Sequence, residues 1–313
     1  MEKGEGIEMA KRYEVRCYPT YLFLNGNGEL VHRTSSAYPV SPFVELGENA
    51  LVPERQFGTL QTKYSKGQIA PSEIIRYMAM RQASCLPNDE ELEAYLKTQT
   101  EADFLNRENW FVLQTYVVNP HNEMFRYMLQ NRSSFEKRYT TDSVQLVIER
   151  VYGTAMAQCI YAKEPDTAAY HKLRKEVRDL SLPSSERLIM GSDMSLYSVT
   201  GQWDAYAKVS AEYINAYADS DWALLNNIAW SFYEHIDDPV HLDKAIGWSK
   251  KSIAINPNYY NSDTYASLLY KRGKKSEAVA AAKQAIILAE KEGMDSTPTK
   301  ELLRKIHAMK SNK

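Results

Sequence analysis

The sequence has few cysteines, and none of them forms a Cys-x-x-Cys pair. Cys17, Cys85 and Cys159 are far apart in the chain, and their number is odd. A thiol–disulfide enzyme needs a reactive thiolate with a resolving thiol close by, so the sequence predicts no redox catalysis for the chain as it stands. We do not expect a disulfide framework, and three cysteines are too few for a cysteine-based zinc site. Cys17 could be reactive if exposed, but the favoured interpretation is a small packed residue.

Several other signals are absent. No apolar run is long enough to span a membrane, and the N-terminus lacks the apolar core of a secretion signal. The net charge is -2, so no basic surface for nucleic acid is expected. Neither a phosphate loop nor a Gly-x-Ser-x-Gly elbow occurs. The segment 235–241, "HIDDPVH", could hold a divalent metal but is interpreted as a polar turn. We therefore expect neither a metal nor a cofactor.

The first 52 residues indicate a mixed α/β unit. A short amphipathic helix ends near Tyr13, and a strand is predicted over residues 21–24. Asn25-Gly26-Asn27-Gly28 tolerates positive φ and predicts a hairpin turn before a return strand that begins at Leu30. Ser41 is the predicted N-cap of a further helix.

From about Pro53 onward helix signals dominate, which favours a helical array. Near the end, residues 243–257 and 276–290 align at a spacing of 33, and each follows a partner helix, over 221–235 and 262–273. This resembles the tetratricopeptide repeat, a helix–turn–helix unit. The first unit departs from that pattern because its inter-helix turn is about four residues too long for the repeat. A weaker unit covers 192–218.

The segment "EGIEMAKRYEVRCYPTYLFLNGNGELVHR" resembles the C-terminal half of a thioredoxin domain. It is similar to thioredoxin-like proteins of Bacteroidetes, which are often described as thiol:disulfide isomerases and carry an exported thioredoxin domain before a long helical region. "ENWFVLQTYVVNPHNEMFRYMLQNRSSFEKRY" is similar to their helical part. The resemblance implies a cis bond before Pro19 and a backbone at Tyr18 that faces an extended substrate. It also implies that the redox pair belongs to a preceding half, so we expect the chain to be truncated or mis-started at Met1.

The predicted fold class is α+β, mostly α: a partial thioredoxin-like unit (1–52), a helical region (53–190) and tetratricopeptide-like repeats (191–313). The predicted location is the periplasm or cell envelope by resemblance, or the cytoplasm if Met1 is the true start. The open strand edge of the partial unit also predicts self-association.

The predicted function is protein or peptide binding, with no nucleic acid and no membrane span. One alternative is a thiol:disulfide oxidoreductase or isomerase whose catalytic half is missing, and another is a repeat-type scaffold. In tetratricopeptide repeats the first helices line a groove where asparagines clamp a peptide backbone; for Trp230, inter-helix packing is an equal alternative. The predicted binding residues are Tyr18, Pro19 and Thr20 at the strand edge, and Trp222, Asn226, Asn227, Trp230 and Tyr233 in the groove.

Overall fold

The computed structural model describes residues 4–218 and 220–309, which contain seventeen α-helices and one two-stranded sheet. The predicted class, α+β and mostly α, is confirmed at this level. The chain divides into two compact units, Met1–Val151 and Tyr152–Lys313. The predicted boundaries at residues 52 and 190 stay predictions.

The first unit begins with a helix and a hairpin. Helix α1 (Glu5–Arg12) is followed by strand β1 (Thr20–Leu24), antiparallel strand β2 (Leu30–Ser35) and helix α2 (Val40–Ala50). The side chain of Asn25 accepts hydrogen bonds from the backbone N–H groups of Asn27 and Glu29, each at 3.0 Å, and this fixes the turn. The predicted hairpin is confirmed. Helix α2 starts at Val40, so Ser41 lies inside its first turn rather than at the cap.

Helical segments follow the hairpin, and one of them packs against β2. After a 3-10 helix (Pro53–Arg55), α3 (Phe57–Ser65) packs against β2 and α4 (Pro71–Gln82) packs against α3. A Cβ on Gly58 would lie 2.5 Å from the carbonyl oxygen of Leu30, so only glycine permits this close approach. The shared core consists of buried Phe57, Leu60, Tyr77 and Leu86. The unit continues through α5 (Asp89–Leu96), α6 (Arg107–Thr115), α7 (Glu123–Gln130), α8 (Arg132–Tyr139) and the start of α9 (Thr141–Ile160).

A disulfide joins Cys17 to Cys85, so the expectation that no disulfide forms and that Cys17 is a packed thiol was wrong. The two residues are 68 positions apart, but their Cα atoms lie within 6.2 Å. The fold brings them together because the end of β2 is held against the end of α4. The N–H of Ser35 donates to the carbonyl of Ala83 at 2.8 Å. Cys159 is free and half-buried.

The second unit is a row of antiparallel helices. Each helix from α10 to α17 packs against the next along the chain, α13 also contacts α15, and α15 contacts α17. Helices α13, α15 and α17 therefore lie side by side, the arrangement that lines a groove in helical repeat proteins. The predicted helix pairs are confirmed, while their assignment to the tetratricopeptide family stays a prediction. The helices are α10 (Thr167–Asp179), α11 (Ser185–Val199), α12 (Trp203–Tyr217), α13 (Trp222–His235), α14 (Pro239–Ile255), α15 (Tyr259–Lys271), α16 (Lys275–Glu292) and α17 (Thr297–Ala308).

Two kinds of local contact stabilise these helices. Side chains at the helix starts satisfy free backbone N–H groups: Asp221 caps α13, Asp238 caps α14 and Asn258 caps α15. Between α10 and α11, buried Asp193 accepts a hydrogen bond of 2.6 Å from the hydroxyl of Tyr170 and three from the guanidinium of Arg174 at 2.9 to 3.1 Å. The carboxylate of Asp193 would be costly to bury alone, and these hydrogen bonds from Tyr170 and Arg174 offset that cost.

Candidate binding surfaces

The predicted binding residues lie on two surfaces, one in each unit. Tyr18, Pro19 and Thr20 belong to the first unit, at the start of β1. The five residues predicted for the groove lie on α13 in the second unit.

Strand β1 has an open edge. The N–H of Ser36 donates to the carbonyl of Pro19 at 3.1 Å, whereas the N–H of Ser35, the residue opposite Thr20, turns away to Ala83. Hydrogen-bonded and non-hydrogen-bonded pairs alternate in an antiparallel ladder, so the backbone groups of Thr20 and Leu22 point to the other side. No strand in residues 4–218 or 220–309 pairs with that side.

The start of the edge is accessible. The side chain of Tyr18 is 58% exposed and Pro19 is also exposed, and the bond between them is cis, as expected. The hydroxyl of Thr20 donates to the carbonyl of Cys17 at 2.6 Å and lies 2.7 Å from the hydroxyl of Ser35. The side chain of Thr20 is therefore already engaged, and its backbone is what remains available for a ligand.

An aromatic and aliphatic strip lies beside the edge, which the sequence-based site did not include. The ring of Tyr21 contacts that of Phe43 edge-on, with centroids 4.8 Å apart, and lies 6.3 Å from that of Tyr38. Phe43 and Val44 on α2 are exposed by 39% and 53%. Exposed apolar clusters of this kind favour contact with a partner. The closely spaced Phe43 and Val44 were visible in the sequence, but their position beside β1 was not.

The disulfide adjoins the same edge. Cys17 directly precedes Tyr18 in the chain and is half-buried, while Cys85 is exposed and has a φ of 56°. No pattern in the sequence predicts this pairing, because it depends on the docking of α4 near the end of β2.

On α13, the predicted residues differ in availability. Trp222 is half-buried, and its carbonyl accepts a hydrogen bond of 2.7 Å from the hydroxyl of Ser252. Asn227 is exposed. The amide oxygen of Asn226 is buried, with no hydrogen-bond partner among the residues that the structure describes. Trp230 and Tyr233 are half-buried, with ring centroids 5.0 Å apart.

Helix α15 adds a cation to this face. The ammonium group of Lys271 donates to the carbonyl of Tyr233 at 2.7 Å, pairs with Asp237 at 2.8 Å and lies 6.0 Å from the centre of the Tyr233 ring. Burial, and then the nearby carboxylate of Asp263, raise the pKa of the Tyr233 hydroxyl. Lys271 was not predicted, because the spacing within α13 carries no information about the helix beside it.

No family model, curated protein or solved structure matches the chain. Within the described residues no cluster of three or more His, Cys, Asp or Glu side chains could hold a metal ion. In the same part of the chain, no helix is both long and apolar enough to cross a membrane.

Proposed function

We propose that this chain is a thioredoxin-like protein without a Cys-x-x-Cys pair, and that it binds extended segments of proteins or peptides. The observation that carries the proposal is the open edge of β1, where Thr20 and Leu22 turn their backbone groups outward. An unpaired strand edge is a template for another strand. The proposed location is an oxidising compartment such as the periplasm, and the Cys17–Cys85 disulfide supports it.

In this proposal the ligand adds as a third strand. Its backbone exchanges hydrogen bonds with Thr20 and Leu22, each contributing about 0.5–1.5 kcal/mol. Successive side chains of an added strand point to opposite faces, so alternate ligand residues reach the strip formed by Tyr21 and Phe43. This is the strand-addition mode of peptide recognition.

The test uses short random peptides displayed on phage, selected on the intact protein. Selected peptides are then resynthesised with N-methyl groups at alternate residues, in both registers. We expect one register to abolish binding and the other to leave it within about threefold, because only every second N–H faces β1. Equal effects of both registers would contradict strand addition, as would the absence of any selected peptide.

A substitution in the protein tests the same backbone hydrogen bonds. Leu22→Pro removes an outward N–H, and proline is tolerated where that N–H faces solvent. We expect this variant to keep its helical circular dichroism signal and to lose peptide binding by about tenfold or more. Leu22→Ala is the matched control, because it shortens the same side chain and keeps the N–H. An equal loss in both variants would assign the effect to the side chain instead.

The face of α13 supports a second binding surface, of the scaffold type. The observation behind this surface is that α13, α15 and α17 lie side by side, with Trp230 and Tyr233 half-exposed on α13. Trp230→Ala is expected to weaken a peptide that binds there by about tenfold or more, because buried aromatic anchors dominate such contacts. The control is Ile287→Ala on α16, where the side chain is 56% exposed. Equal weakening by both variants would oppose a groove on α13.

The disulfide favours one further candidate, thiol–disulfide exchange. A partner thiolate would attack the sulfur of exposed Cys85, and the thiolate of Cys17 would leave. A second partner thiol would then release Cys85, so that the partner is oxidised to a disulfide and both cysteines are reduced. The test is insulin reduction with excess dithiothreitol as the reductant. A rate above that of the Cys17→Ser/Cys85→Ser variant supports exchange, and an equal rate rules it out.

A further inference from the structure

A cavity of about 380 Å³ lies in the first unit, and no residue of β1 lines it. It is bounded by β2, the end of α2, the 3-10 helix and α4. Its volume falls within the range of small-molecule sites, about 300–1,000 Å³. The lining contains three arginines and one histidine, and none of the lining residues is Asp or Glu. The cavity is therefore cationic in its composition.

His32 supplies one hydrogen-bond donor to the cavity, the N–H group at Nε2. The residue is 5% exposed, it lines the cavity, and its Nδ1 accepts the backbone N–H of Phe57 at 3.2 Å. A neutral imidazole that accepts at Nδ1 carries its proton on Nε2. Burial lowers the pKa of His32, which keeps the ring neutral. No described residue provides a hydrogen-bond acceptor for the Nε2–H, so this donor is free for a ligand.

Arg55 and Arg76 supply positive charge that the neighbouring side chains neutralise only in part. Arg55 donates to the amide oxygen of Asn49 at 3.0 Å, which is a neutral partner. Arg76 lies 4.0 Å from the carboxylate of Glu73, and that carboxylate is already paired with Lys63 at 2.6 Å. The third arginine of the lining, Arg33, is not available in the same way, because its guanidinium donates to backbone carbonyls at the end of α1.

Most of the accessible wall is apolar. Leu46 from α2 and Met80 from α4 line the cavity together with two alanines of the segment 79–83. An ion alone would leave this wall in contact with water. A ligand with both an acidic group and a hydrocarbon portion would satisfy both parts of the lining.

We propose that this cavity binds a small organic anion. Its carboxylate or phosphate monoester accepts hydrogen bonds from His32, Arg55 and Arg76, and its apolar body lies against Leu46 and Met80. Guanidinium groups suit this role because they offer paired N–H donors to planar or tetrahedral anions. No residue of β1 lines the cavity, although Tyr38 of the lining lies beside Tyr21; the proposal does not depend on peptide binding at the edge of β1.

The test measures the binding of four probes to the full chain by calorimetry and by shifts of backbone amide signals. The probes are phenyl phosphate, 3-phenylpropionate, its neutral amide and inorganic phosphate. We expect at least one organic anion to bind saturably with a Kd below about 1 mM, with shifts around β2 and α4. The neutral amide and inorganic phosphate are each expected to bind at least about tenfold more weakly. Whichever anion binds more tightly identifies the headgroup.

Variants separate a specific site from general attraction to a cation. Arg55→Gln and Arg76→Gln each remove one guanidinium from an exposed position, so the fold is expected to persist, and each should raise Kd by about tenfold. Arg107→Gln on α6 is the matched control, because this exposed arginine lies outside the cavity lining. The proposal is overturned if no organic anion binds, if the neutral amide binds equally well, or if Arg107→Gln weakens binding as much as the two cavity variants.

Discussion

Removing the Cys17–Cys85 disulfide should destabilise the first unit by an amount that follows from the chain it closes. The cross-link spans 68 residues. The chain-entropy relation gives about 4 kcal/mol for a loop of this length, because the cross-link removes conformations from the unfolded state. The contacts on the folded side persist without it, since Ser35 still donates to Ala83 and the hydroxyl of Ser84 still donates to the carbonyl of Met80 at 2.8 Å. We therefore expect the folded structure to be retained.

The assay is hydrogen exchange of amides in β2 and α4, comparing the native protein with Cys17→Ser/Cys85→Ser. A loss of about 4 kcal/mol corresponds to exchange that is about a thousandfold faster for amides that require unfolding of the unit. Cys159→Ser is the control, because it removes the free thiol and leaves the disulfide intact. Thiol titration of the denatured protein should first find one free thiol, and three after reduction. Finding three free thiols before reduction, or less than about tenfold faster exchange, would refute this reasoning.

Three further outcomes are expected. Asp193→Asn should lower the free energy of unfolding by about 3 kcal/mol, because Tyr170 and Arg174 lose the negative charge that accepts their hydrogen bonds. Urea denaturation measures this loss. Gly58→Ala should destabilise the first unit by about 1–3 kcal/mol, because the new Cβ would collide with the carbonyl of Leu30, and thermal unfolding detects it. His32 has a lowered pKa because of burial, so its contribution to stability is complete above its unfolded pKa of about 6.5. That contribution is lost as the pH falls from there towards the folded pKa. In a plot of unfolding free energy against pH, His32→Gln should flatten this part of the curve.

The two predictions for Asp193 and Gly58 each have a matched control in the same unit. Asp204→Asn changes an exposed aspartate in the second unit, and Gly47→Ala changes a helical glycine whose Cβ would have room. The controls should shift stability by less than about 0.5 kcal/mol, or slightly upward for the glycine. If a control matches its partner variant, the cause assigned to that partner is wrong.

The local parts of this fold were predictable because their signals lie within a few residues. Asn25 and Gly28 mark the hairpin turn between two apolar runs, and the structure places β1 and β2 on either side of it. The helix pairs of the second unit follow from a repeat spacing in the sequence. Helix starts were placed less well: α2 begins at Val40, before the predicted cap Ser41, and no side chain caps it.

The long-range features were not predictable from spacing. The disulfide requires α4 to end beside β2, and this depends on the approach of α3 to β2 that Gly58 permits. The contribution of Lys271 to the α13 face requires that α13 and α15 lie side by side. The cationic cavity is assembled from segments that a sequence pattern does not connect, since His32 and Arg76 lie on different elements. The binding residues themselves remain predictions until a ligand is tested.

The most direct test of strand addition follows the amides of β1 when a selected peptide binds. Residue-resolved hydrogen exchange should show that binding slows exchange at Thr20 and Leu22 by about tenfold or more, because their outward N–H groups gain acceptors. The inward N–H groups of Tyr21 and Phe23 already pair with β2 and should change little. If the peptide binds while exchange at Thr20 and Leu22 stays unchanged, the open edge of β1 is not the binding site.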